Sequence, residues 1–224
     1  MKKGFTLAEV LVTLGIIGVV AAITIPLLIT NIKKREIETR LKSTYSILSN
    51  AVRMSEADND SVEGWDFSLD TLQFMQLYLL PYLKASYKDK NTTFRYPTFE
   101  IFLLNGTKIV FRVWNEWGGD YENKYPFVSM QVDINGNKRP NKQGVDIFYF
   151  YLFPYARNLY NNGTGNQAYN VPSGGLYYDG YGASKDKLIN NYWRGCKNGV
   201  DAGYCTGLIV RNGWKIPPDY PIKL

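Results

Sequence analysis

The 224 residues contain no histidine. Serine–histidine and cysteine–histidine nucleophile pairs are therefore excluded, and so is every histidine-based metal centre. The acid–base chemistry left to such a chain is mainly that of carboxylate pairs. Cysteine is scarce: Cys196 and Cys205 are the only two. Dense basic patches are also missing. The 26 Lys and Arg lie among 20 Asp and Glu, so the formal charge of +6 reads as a solvated surface. No nucleic-acid module is recognisable, and no nucleic-acid partner is expected. The most local shortage is at the start, where Glu9 is the only charged side chain between Lys3 and Lys33.

That uncharged stretch organises the chain. Phe5 to Thr30 is apolar almost throughout, and about 17–25 such residues as a helix cross a bilayer. A carboxylate inside such a helix costs roughly 2.5–3.5 kcal/mol. Glu9 therefore needs a partner, and no basic residue lies within the segment to serve. An ordinary secretory signal would be shorter and would end in a small-residue cleavage site. A plain membrane anchor gives no reason for Glu9.

The opening resembles the class III signal of type IV pilins and of the pseudopilins of type II secretion systems. The residues that carry the resemblance are the basic leader Met1-Lys2-Lys3-Gly4, Phe5 directly after it, Glu9 four residues further on, and a long apolar run interrupted by Pro26. The resemblance implies cleavage by a prepilin peptidase between Gly4 and Phe5 and methylation of the new amine. It implies assembly into a filament through Glu9 and Pro26, with the Phe5 amine of one subunit meeting Glu9 of its neighbour. The partners it implies are other pilin or pseudopilin subunits, an inner-membrane assembly platform and membrane lipid. Lys2 and Lys3 are balanced by Lys33, Lys34 and Arg35, so charge alone does not orient the segment. The resemblance places the amino terminus inside and the globular part outside the cytoplasmic membrane, as a single-pass protein reaching a filament or the cell surface after assembly.

On this basis residues 1–4 are a leader, 5–30 a membrane and filament-core helix, 31–55 the amphipathic half of the same helix, and 56–224 an extracytoplasmic globular domain. Pro26 removes the N–H that would bond four residues back, so a kink near Ala22 is expected. Gly15 and Gly18 offer small surfaces for close helix packing. Ile37, Leu41, Tyr45, Leu48 and Val52 form one apolar stripe, and the helix should end near Met54.

A second helix is predicted over Ser68 to Lys84, capped by Ser68 or Asp70 and disturbed by Pro81. The period then changes to two. Thr98 to Leu104 and Thr107 to Trp114 flank Asn105-Gly106, a strong hairpin signal. Phe127 to Ile134 and Asp146 to Phe153 read as a third and a fourth strand. The fold class is α+β, a pilin-like long helix packed on an antiparallel sheet of about four strands.

Asp133, Asn135, Asn137 and Asp146 place oxygen-bearing side chains between the last two strands, and some pseudopilins hold calcium in such a loop. The EF-hand pattern is not met, because Lys138 takes the sixth position and Gly144 the twelfth. A turn-rich connection is the reading, with no cofactor and with calcium as the alternative. Gly163 to Gly182 has no clear period and reads as a surface loop or weak hairpin. Ser184 should cap a short helix to Trp193, Gly207 to Val210 reads as a strand, and the proline-rich end reads as a stiff extended tail. Beyond an anchor, Cys196 and Cys205 read as a disulfide pair, with two free thiols as the alternative. Pilins often carry a carboxy-terminal disulfide loop, so the resemblance favours the bond.

The function implied is a structural one: a pseudopilin or minor pilin, not an enzyme. The alternative is a membrane-anchored carbohydrate-binding module or glycosidase-like enzyme. It would use a carboxylate pair from Glu100, Glu116, Asp120 and Glu122, with Trp114 and Trp117 as a sugar platform. In the structural reading these are ordinary strand and turn residues.

Overall fold

The computed structural model describes residues 4, 6–91, 97–115, 126–155, 157–159, 169–171, 174–197 and 201–224. The chain divides into two compact units, residues 1–36 and 37–223. Helix α1, Leu7–Asn59, contributes to both.

In the first unit α1 is helical on both sides of Pro26 and through it. Its threonines return their hydroxyls to the helix: Thr13 donates to the Glu9 and Val10 carbonyls, Thr24 to Val20 and Thr30 to Pro26, each at 2.9 Å. Polar groups in an apolar segment are thereby satisfied internally.

The second unit is built on a six-stranded antiparallel sheet. Its strands are β1 (Ala85–Asn91), β2 (Thr98–Leu103), β3 (Lys108–Trp114), β4 (Phe127–Asp133), β5 (Ile147–Phe153) and β8 (Gly175–Tyr178), in that spatial order. β6 (Arg157–Leu159) and β7 (Tyr169–Val171) form a separate two-stranded ribbon. The Asn105-Gly106 turn joins β2 to β3, with Gly106 at φ +83°, a conformation that needs glycine. Asn105 Oδ1 accepts from the Thr107 N–H at 3.0 Å.

Alternation along the strands builds the core. Phe99, Phe111, Met130 and Phe150 stand in one cross-strand row, and Ile101, Ile109, Val132 and Phe148 in the next. All eight are buried. Onto this face packs the Ile37–Asn59 part of α1, which buries Ile37, Leu41, Thr44, Leu48, Ala51, Val52 and Ser55. Tyr45 meets Phe150 at 5.7 Å between ring centroids. Two polar clamps fix the register of the helix. Arg40 donates to the carbonyls of Asn105 and Ile134, both at 3.1 Å, and Glu38 accepts from Lys215 Nζ and the Ile216 N–H, both at 2.9 Å.

The segment after α1 folds as a helical turn, α2 (Thr71–Phe74), continued by a wide turn over Met75–Leu79 and a tight one over Leu80–Tyr82. Asp70 is its cap, in a reciprocal box with Gln73. Trp65 stacks on Tyr78 at 4.6 Å, closing a small aromatic core with Phe67 and Phe74.

The carboxy-terminal lobe holds α3 (Lys185–Asn190), capped by Ser184, and α4 (Cys205–Arg211). Its core is Ala183, Leu188, Cys196, Ala202, Cys205, Leu208 and Ile222.

Four expectations are corrected. The sheet has six strands rather than about four. The added ones, β1 and β8, lie at its two edges, where polar side chains and glycine weaken the strand pattern. Gly207 to Val210 belongs to a helix, because Gly207 packs so closely on the Asp179 carbonyl that a Cβ would come within 2.6 Å of it. α1 continues to Asn59, past Met54. The tail is not extended: Trp214 turns at φ +65° and donates its N–H to the Ile209 carbonyl, and Ile216, Pro217 and Ile222 are buried.

Candidate assembly site

The apolar part of α1 has the side chains of a core helix and covers none of them. Leu7 is 79% exposed, Leu14 61%, Ile23 70% and Leu27 65%. The mean hydropathy of its most apolar 18-residue window is 2.6, and none of that window is buried in the chain. A Cβ added at Gly15 or Gly18 would meet nothing within 4 Å, so both leave open helix surface. Exposed apolar area of this extent marks a surface that is covered by another molecule or by lipid.

At the head of this helix the structure supplies what the carboxylate needs. The Thr6 N–H and hydroxyl donate to Glu9 Oε2 at 2.8 and 2.9 Å, and the Glu9 N–H donates back to Thr6 Oγ1 at 3.3 Å. Thr6 precedes the first helical residue and Glu9 is the third, so the pair forms a capping box. Glu9 thus has a hydrogen-bonding partner in its own chain, Thr6, which carries no charge. The signal was present as Thr6-x-x-Glu9 before an apolar run. It serves the first-turn N–H groups and places the negative charge at the positive end of the helix dipole. Gly4 is exposed ahead of it. Phe5 lies outside the described residues.

The other candidates are distributed through the second unit. Asp133 and Asp146 are each 2% exposed. Asp146 accepts from Asn135 Nδ2 at 3.1 Å and from the N–H groups of Asn141 and Lys142, and Asp133 Oδ1 accepts from the Asn135 N–H at 3.2 Å. The Asn141 amide, with its nitrogen facing Asp133, donates to Asp133 Oδ2 at 3.1 Å. Asp133, Asn135 and Asp146 thus come together, while Asn137 is exposed. The Asp133 and Asp146 carboxylate oxygens already accept hydrogen bonds of the same loop, whereas the buried Asn135 Oδ1 accepts none among the described residues. Burial pushes the Asp133 carboxyl up to about 6.

Of the carboxylate-pair candidates, Glu116, Asp120 and Glu122 lie outside the described residues, as does Trp117. Glu100 sits within β2, opposite Val110 of β3. Trp114 stacks on Phe127 at 5.7 Å and donates its indole N–H to Ser129 Oγ at 2.9 Å, so it is tied into the sheet.

Cys196 and Cys205 are bonded to each other. Near the disulfide in sequence is a half-buried polar centre around the buried Asp179 that the sequence reading missed. Arg194 Nη2 reaches both Asp179 Oδ2 and the Tyr151 hydroxyl, the latter at 2.6 Å. Burial pushes Asp179 up to about 6, and the Arg194 guanidinium acts in the opposite direction. Arg194 and Asp179 are 15 residues apart, so no local pattern announces them.

Residues 1–25 match the Prokaryotic N-terminal methylation motif. Residues 27–224 match the Family of unknown function (DUF6613). Over 120 residues the chain is 29% identical to Type II secretion system core protein G of Escherichia coli (strain K12), covering 54% of this chain and 70% of that protein. No solved structure gives a significant match. The methylation motif, the long helix and the sheet beneath its second half make this a type IV pilin-like protein, and its body, from Leu27 to Leu224, belongs to the Family of unknown function (DUF6613).

Proposed function

We propose that the chain is a pseudopilin or minor pilin, a structural subunit of a type II secretion or type IV pilus-like filament. The observation that carries this reading is the uncovered apolar surface of Leu7 to Ile32, with a single carboxylate, Glu9, at its head. In the proposal a prepilin peptidase cuts between Gly4 and Phe5 and the new amine is methylated. The segment first lies in the cytoplasmic membrane, with residues 56–224 on the far side. An inner-membrane platform then feeds it into a filament, where neighbouring helices replace lipid. The contact is head-to-tail and does not close on itself, so it generates an open helical assembly.

Glu9 has two states in this account. In the single chain it caps its own helix. In the filament it also faces the Phe5 amine of a neighbour. Leaving one partner of a buried ion pair without the other costs about 3–5 kcal/mol, which makes Glu9 a register device for subunit addition.

The test is incorporation of Glu9→Leu and Glu9→Gln into filaments, in cells that retain the wild-type assembly machinery. Both variants should remain in the membrane fraction and fail to enter sheared filaments. Normal incorporation of Glu9→Leu would refute the pairing.

A further inference from the structure

A half-open cleft of about 250 Å³ lies where β8 meets the carboxy-terminal lobe. Tyr178 and Tyr181 line it with rings 5.3 Å apart and tilted by 56°. Gly180, Gly182 and Gly207 contribute bare main chain to its wall. Gly180 and Gly182 have φ of +82° and +74°, which other residues rarely adopt, and a Cβ at Gly207 would strike the Asp179 carbonyl. The absence of side chains there is a requirement of the fold. Arg211, the last residue of α4, lines the cleft as well. Its guanidinium has five N–H donors. Its one hydrogen bond among the described residues goes to the Ala183 carbonyl at 3.5 Å, the outer limit for such a bond. No carboxylate among the described residues pairs with it.

We propose that this cleft binds one sugar-acid unit of an anionic glycan, with Arg211 on the sugar carboxylate and the Tyr178 and Tyr181 rings against the apolar face of the pyranose. The lining favours a sugar over a peptide side chain. A lining of two tyrosines, Ala183 and Leu188 beside glycine main chain and one guanidinium suits a ligand that has both an apolar C–H face and a set of polar groups. The volume falls below the roughly 300–1,000 Å³ of sites for drug-sized ligands, which fits a single ring. The fixed planar donors of Arg211 select a carboxylate over a neutral hydroxymethyl group. The site lies wholly in the second unit and does not depend on the filament reading.

The test is calorimetric titration of the full chain in detergent with a galacturonic acid trisaccharide, its methyl ester, and an acidic peptide of equal charge. The acid should bind, the ester should bind about tenfold more weakly, and Arg211→Gln should lose a similar factor for the acid with an unchanged melting temperature. Tyr181→Ala should weaken acid and ester alike. No binding of the acid at millimolar concentration, equal binding of acid and ester, or tighter binding of the peptide would overturn the proposal. The acid–ester comparison uses the unaltered chain and stands even where a variant fails to fold.

Discussion

Replacing both Cys196 and Cys205 by alanine removes the only covalent cross-link, and its effect follows from two features of the structure. The two residues are nine apart. Closing a loop of about ten residues restricts the unfolded chain by roughly 2.7 kcal/mol in the chain-entropy model. Both residues are also fully buried, in a cluster with Leu188, Leu208 and Ile222. Loss of the two sulfurs leaves small voids that cost about 1 kcal/mol more. The sum is about 3–4 kcal/mol. At about 2–4 °C per kcal/mol for a body of this size, the melting temperature should fall by roughly 6–15 °C. The assay is thermal unfolding of the full chain in detergent, followed by near-ultraviolet circular dichroism, which reports the aromatic core and not the apolar helix. The wild type in dithiothreitol should move towards the variant, and the variant should not respond to the reductant. A double variant melting within about 2 °C of the oxidised wild type would show that the bond contributes little to stability.

Three further outcomes are expected in the same assay. Leu48→Ala empties a fully packed position of α1, 1% exposed beneath the sheet, and should cost about 2–5 kcal/mol. Arg194→Gln leaves the buried Asp179 carboxyl without its guanidinium, whose side chain is 32% exposed, and should cost about 1–3 kcal/mol at pH 7 because the carboxyl can take up a proton; no measurable loss would show that the pair does not contribute. Asp133→Asn should alter the pH profile. Burial raises the folded Asp133 from 3.8 to about 6, so the folded chain holds that proton more tightly than the unfolded chain. Wild-type stability then declines as pH rises from about 4 through 6. Asp179 shifts in the same direction, so the comparison with the variant isolates Asp133. The variant should gain about 1–3 kcal/mol on the wild type between pH 4.5 and 7.5, and a gap that does not change with pH would count against the burial of this group.

Much of the architecture was legible because it is written in local patterns. The Asn105-Gly106 turn needs a glycine at positive φ, and the strands beside it alternate cleanly because one face is buried. Ile37, Leu41, Leu48 and Val52 show the three-and-four spacing of a helix docked on one side. Ser184 and Asp70 cap helices as their hydrogen-bonding chemistry predicts. What escaped depends on distant partners. β1 and β8 pair with one neighbour each at the sheet edges, so burial does not impose a two-residue period on them. α4 reads as a strand from Leu208-Ile209-Val210, yet Gly207 and the bond from Cys205 hold it against the turn after β8. The tail reads as extended from its prolines, yet Glu38 on α1 captures Lys215 and Ile216. At the assembly site the motif drew attention to Glu9 as a charge in an apolar run. Its local role, as the return half of a capping box with Thr6, followed from the same four residues.

Maturation at the amino terminus, followed by retention of the first helix in a filament, is checked by the intact mass and amino-terminal sequence of the protein extracted from its native membrane. The expected result is a chain that begins at an N-methylated Phe5 and has lost Met1 to Gly4. A chain that still begins at Met1, in cells with an active prepilin peptidase, would contradict it.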